Sequence, residues 1–147
     1  MFNNFTSFIS NIIMERPVRK LLIDNIEDVT KSRERIMIVS KTEINQFVSV
    51  LKLGNIKLLL DKDRCCSYVD NYLLATVFIY FKRANLKMSE YTEENFWRCL
   101  YLAHDQEEDE EELKWELLPW ALGEDWNQTI TGFLTAKDRL WERMGFR

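Results

Sequence analysis

The sequence predicts an all-α fold, a compact helical domain without a sheet. Turn formers are scarce, with four Gly and two Pro in 147 residues, too few for a many-stranded sandwich. Apolar residues recur at helical spacing, and several of these segments follow a side chain able to cap a helix. A composition 46% hydrophobic and 30% charged can build a core and is not that of a disordered chain. The length suits one domain with an arm.

Residues 1–41 form an arm of uncertain structure. Phe2, Phe5, Phe8, Ile9, Ile12 and Ile13 have the spacing of a short amphipathic helix, which Pro17 interrupts. Leu21, Leu22, Ile26 and Val29 could form a second, followed by the basic Lys31, Arg33 and Arg35. Clearer signals start at Ser40. Ser40 and Glu43 have capping-box spacing. Ile44, Phe47, Val48 and Leu51 follow at i, i+3, i+4 and i+7, and Gly54 can take the left-handed cap that closes the helix. Ile56 to Leu60 is a short apolar run, helical or extended.

Asp70 can cap a helix over Asn71 to Ala84, apolar all round and therefore expected as a buried central helix. Thr92 can cap the next, with Phe96, Leu100 and Ala103 on one stripe and Trp97 and Tyr101 on its neighbour. An acidic run then leads into Leu113–Leu118. Acids are favoured at a helix start by the helix dipole. Pro119 is expected to end or kink that helix, and Gly123 to close a turn after Trp120-Ala121-Leu122. A last helix is expected from about Phe133 to Met144, for a total of five or six helices.

The net charge of −4 argues against a general nucleic-acid binder. It conceals an asymmetry, because seven acids fall between Asp105 and Glu112, leaving the rest of the chain net positive. The longest apolar stretch, Tyr72 to Phe81, is half the length of a membrane-spanning helix, which needs about 20 apolar residues. No secretory signal is read at the N-terminus. The cysteines are Cys65, Cys66 and Cys99, an odd count that suits a reducing compartment. One His and no Cys-x-x-Cys offer almost no zinc ligands, so neither metal nor cofactor is expected.

No phosphate loop, dinucleotide fingerprint, metalloprotease motif or nucleophile elbow is present in the sequence. An enzyme would have to be built around His104 and the carboxylates. A helix-end histidine, favoured there in its charged form, is the simpler reading. Cys99, among Phe96, Leu100 and Leu102, reads as a buried thiol. The acidic run lacks the alternating acids and central Gly of a calcium-binding EF-hand loop, which leaves two readings. One is a solvated helix start. The other is a binding surface for basic groups, since carboxylates accept paired hydrogen bonds from Arg. The five Trp would mostly anchor the core, with one or two free for a protein interface.

Several landmarks occur together in an order that resembles the Speedy/RINGO family, atypical activators of cyclin-dependent kinases. They are Asp70-Asn71-Tyr72-Leu73-Leu74-Ala75, Tyr80-Phe81-Lys82-Arg83-Ala84, Tyr101-Leu102-Ala103, the acidic Glu107 to Glu112, Pro119-Trp120-Ala121-Leu122-Gly123, Trp126 and Leu140-Trp141. The resemblance covers residues 42–147 and leaves 1–41 unmatched. It implies a helical domain like a cyclin box, non-enzymatic and nuclear, that pairs as a monomer with a cyclin-dependent kinase. Such a protein would push the kinase C-helix inward and complete the Lys–Glu ion pair. It would do so without a phosphate on the activation loop. By resemblance, Asp70, Glu107, Glu108 and Asp109 would hold that loop open. The alternative is a cyclin-box-like scaffold that binds a kinase or another protein without activating it. No nucleic acid or membrane partner is expected.

Overall fold

A computed structural model of the chain describes residues 39–63, 65, 67–107 and 111–146. The helices expected within residues 1–38 lie outside the described residues, as do Cys66, Glu108 and Asp109. The described residues form six α-helices, one 3₁₀ turn and no strand, so the fold is all-α.

Two units divide the chain, Met1–Val48 and Ser49–Arg147. Helix α1, Lys41–Val50, starts in the first. Its start is the one the sequence marks: the Ser40 hydroxyl accepts from Glu43 N at 3.2 Å. Within this unit Ile44 and Phe47 are buried.

In the second unit the chain leaves α1 through tight backbone bonds, Lys52 N to Ser49 O and Leu53 N to Val50 O. Gly54 has a positive φ, +33°, but it does not close α1 as expected, since α1 already ends at Val50. It opens helix α2, Gly54–Lys62, which resolves the apolar run at Ile56–Leu60 as helical. The residue before α2 is Leu53, which has no side chain to cap with. Glu93 supplies the missing acceptor from 38 positions away, with Oε1 3.3 Å from Asn55 N. Ile56, Leu59 and Leu60 form the buried face of α2.

Helix α3, Asn71–Arg83, is capped by Asp70 Oδ1 accepting from Leu73 N at 2.8 Å. It buries seven side chains, Phe78 and Phe81 among the deepest. A 3₁₀ turn, Met88–Glu90, leads to helix α4, Glu93–Glu107, whose Thr92 hydroxyl accepts from Asn95 N. Helix α5 is Glu111–Leu122 and helix α6 is Trp126–Arg143. The central helix of this unit is α4, which packs on α3, α5 and α6, while α5 also packs on α6 and α2. From Phe96 to His104 every residue of α4 except Arg98 is buried. Sequence periodicity put α3 in that place. Yet α3 has an open side, with Tyr72 73% exposed, and it is a neighbour of the hub.

Two further expectations are corrected. Of the two outcomes expected at Pro119, a helix end is not found: α5 runs on to Leu122, with Gly123 N still bonded to Pro119 O at 2.9 Å. The bond Pro119 cannot donate is the one to Trp115 O. Trp115 is on the exposed side, so water can replace it. Gly123, at φ +88°, closes the helix instead of a separate turn. The last helix also starts at Trp126, two turns before Phe133. Its inner stripe is Trp126, Ile130, Phe133, Lys137, Leu140 and Met144. Gly132 and the neighbouring Thr residues are weak helix formers, and Lys137 hides the stripe. Its ammonium in fact lies over the Tyr101 ring, 5.6 Å from the centroid.

Candidate functional site

The four acids singled out in the sequence sit around the connection from α4 to α5 and the loop before α3. Two are described. Asp70 is exposed at the N-cap of α3, and Glu107 is exposed as the last residue of α4. Glu108 and Asp109 fall outside the described residues.

What holds Asp70 in place begins at Asp63. This carboxylate is 6% exposed and accepts three main-chain bonds, from Ser67 N at 2.8 Å, Tyr68 N at 3.0 Å and Val69 N at 2.9 Å. A loop that would otherwise leave three amides unpaired is thereby folded around one anion, which satisfies the demand that buried backbone groups be bonded. Tyr68, inside that loop, is fixed at two further points. Its carbonyl lies 2.6 Å from His104 Nε2. A carbonyl only accepts, so Nε2 carries the proton. The Tyr68 hydroxyl donates to the Glu116 carboxylate on α5. That hydrogen bond, together with burial, raises the phenol above its ordinary range.

These ties join the segment that leads to Asp70 to the helix that ends at Glu107. Tyr68 is two residues before Asp70, and His104 is three before Glu107. The Glu107 charge is also felt on α3, where it adds to burial in pushing the Tyr80 phenol up to about 12. His104 is fully buried and serves as the strap between α4 and the loop. The helix-end histidine expected from sequence is found in the last turn of α4, buried rather than exposed, and the carbonyl bond explains why an imidazole stands there.

The acidic run divides by role. Asp105 is neutralised by Lys114, whose Nζ lies 2.6 Å from Oδ1 across the connection. That hydrogen bond raises the Lys114 pKa above its ordinary value. Lys114 also lies 5.9 Å from the centre of the Tyr101 ring. Glu111 and Glu112 occupy the first turn of α5, where the helix dipole favours them. Glu107 faces solvent. The helix-start reading fits Asp105, Glu111 and Glu112, and Glu107 is left as an exposed carboxylate at the end of α4. Cys99 is buried as expected, and burial pushes its thiol up. Cys65 is an exposed free thiol.

Sequence reasoning missed Asp63, Glu116 and Lys114. Their partners lie 4–6, 48 and 9 positions away. Of the three, only Asp63 had a local signal, an Asp opening a polar turn.

Chemically, the described acids can bind cations and planar guanidinium groups. Asp70 is suited to this, because Oδ1 is committed to the α3 cap while Oδ2 takes no part in it. The side chain is held before any ligand arrives, which lowers the ordering cost of binding.

A family model described as Spy1, cell cycle regulatory protein, matches residues 42–147. The chain is similar to Speedy protein C of Homo sapiens, 50% identical over 105 residues, which are 71% of this chain and 38% of that protein. It is 43% identical to Speedy protein A of Rattus norvegicus over 117 residues, 80% of this chain and 38% of that protein. With Speedy protein E21 of Homo sapiens it shares 36% identity over 91 residues, 62% of this chain and 23% of that protein. The chain thus spans well under half the length of these relatives.

Proposed function

The chain belongs to the Speedy family of cell cycle regulatory proteins, and from that premise we propose that it binds a cyclin-dependent kinase and switches it on. In this reading the second unit serves as a cyclin-box-like helical body. It presses the kinase C-helix inward so that the Lys–Glu pair of the kinase can close. Asp70, Glu107, Glu108 and Asp109 take the place of the activation-loop phosphate. A phosphate brings about two negative charges to an Arg cluster. A group of carboxylates offers comparable charge and paired acceptors for guanidinium groups. The complex is one regulator to one kinase, in the nucleus, and the regulator performs no chemistry itself.

What supports this reading best is that Asp70 and Glu107 are both exposed and that the Tyr68–His104 bond ties the segment before Asp70 to the helix that ends at Glu107. The test is to replace Glu107, Glu108 and Asp109 together by Gln, Gln and Asn. Activation of an unphosphorylated kinase should fall at least about tenfold, equivalent to about 1.4 kcal/mol, with the melting temperature held. Parallel loss of both would assign the run to the fold. Binding of the kinase by the unaltered chain with no rise in activity would favour a scaffold instead.

A further inference from the structure

We propose that Trp115 and Trp126 form the bed of a second docking site, which takes an arginine-bearing basic segment of a partner protein. It draws on neither Asp70 nor Glu107 and does not depend on the kinase reading.

Trp115 is 49% exposed on α5, although tryptophan is a core anchor in a domain of this size. Its ring lies 6.1 Å from that of Trp126, the first residue of α6, at a tilt of 52°. The rings are not stacked face to face, and half of Trp115 is left to solvent. Four exposed acids fall close to this pair along the two helices. Glu111 and Glu112 precede Trp115 by one turn of α5, which places them on its side of the helix. Glu124 and Asp125 come immediately before Trp126 and are exposed.

Asp125 adds a second anomaly. It stands at the N-cap of α6, a position where Asp ranks among the best residues because its carboxylate bonds the free amides. Here it makes no such bond. Lys114, the cation adjacent to Trp115 in sequence, is turned to Asp105 and the Tyr101 ring. The pair is left with carboxylates about it.

Each component narrows the occupant. Carboxylates exclude phosphate and nucleic acid. A metal ion would have no use for indole faces, and an apolar helix would have none for the acids. A guanidinium uses both: its plane stacks on an indole, and its edge donates paired bonds to a carboxylate. Lysine can also lie over an aromatic face, as Lys137 does over Tyr101, but without a planar, weakly hydrated fork it gains less from ring and carboxylate together.

The experiment is calorimetric titration of the full chain with a twelve-residue peptide alternating Arg and Ser, and with its Lys counterpart. The Arg peptide should bind saturably, and the Lys peptide several-fold more weakly. Trp115→Ala should weaken binding about tenfold, the effect of losing an aromatic anchor, and Trp115→Phe by less. Glu112→Gln combined with Asp125→Asn should weaken it by a similar factor, whereas Glu107→Gln should leave it unchanged. Melting curves establish that each variant folds, and the paired acid variant stands in if Trp115→Ala does not. The proposal is overturned by no saturable binding, by equal affinity for the two peptides, or by a Trp115→Ala chain that binds as well as the original. Concentration-dependent dimerisation that the Arg peptide cannot compete away would overturn it too, by assigning the Trp pair to a second copy.

Discussion

Replacing Asp63 by Ala should unfold the loop that presents Asp70, and the size of the effect follows from the bonds it makes. Three main-chain amides donate to this carboxylate, at 2.8, 3.0 and 2.9 Å. The Ser67 and Tyr68 amides are partly accessible, so water can replace the carboxylate there. Each then loses only the net worth of a hydrogen bond, about 1 kcal/mol. The Val69 amide is in buried surroundings, and an unpaired buried donor costs about 1–3 kcal/mol. The total is about 3–5 kcal/mol, a large part of the stability of a small domain. Asp63→Asn keeps one acceptor oxygen. Placed at Oδ2 it can serve Tyr68 and Val69, so that variant should lose about 1–2 kcal/mol. Urea unfolding followed by tryptophan fluorescence measures both, with the slope unchanged if only stability has moved. An Ala variant within about 1 kcal/mol of the original, below the cost of one unpaired buried amide, would refute the idea that Asp63 organises the loop.

Two other predictions test separate parts of the fold. Gly54→Ala should destabilise by about 1–2 kcal/mol, because φ is +33° and an L side chain pays for the left-handed region. The new Cβ would also stand 3.0 Å from Glu93 Oε2 and disturb the acceptor at the start of α2; thermal melting measures the loss. Acid should weaken the contact between the 3₁₀ turn and α6. The Arg143 hydrogen bond, helped by the Lys87 amide, holds the Glu90 carboxyl at about 2 against an ordinary 4.5. The folded state therefore binds fewer protons than the unfolded one between those values. This contribution is present above about pH 4.5 and is lost as the pH falls toward 2. A Glu90→Gln chain should show a shallower loss of stability over that window, and added salt should shrink the difference, since the pair is solvent-accessible.

The helix starts that could be read from sequence are those whose caps are local. Ser40, Asp70 and Thr92 each accept from an amide three residues on, so side chain and target fall within one short window. The start of α2 could not be read, because its acceptor is Glu93 and the cap residue itself is Leu53. The early turns of α6 were hidden by Gly132 and by Lys137, a charged side chain on the inner stripe. The same division holds at the candidate site. Asp70 and the acidic run stand out by composition and order, and the Speedy/RINGO resemblance built on them is sustained by the family match. The parts that position them, Asp63, the His104–Tyr68 strap and the Glu116–Tyr68 bond, are tertiary. Only the fold brings those residues together.

The central claim is tested most directly by a kinase assay with purified, unphosphorylated cyclin-dependent kinase and no cyclin, with and without this chain. The account predicts a large rise in substrate phosphorylation that depends on the amount of chain added. A folded chain that leaves the kinase as inactive as it was alone would contradict it.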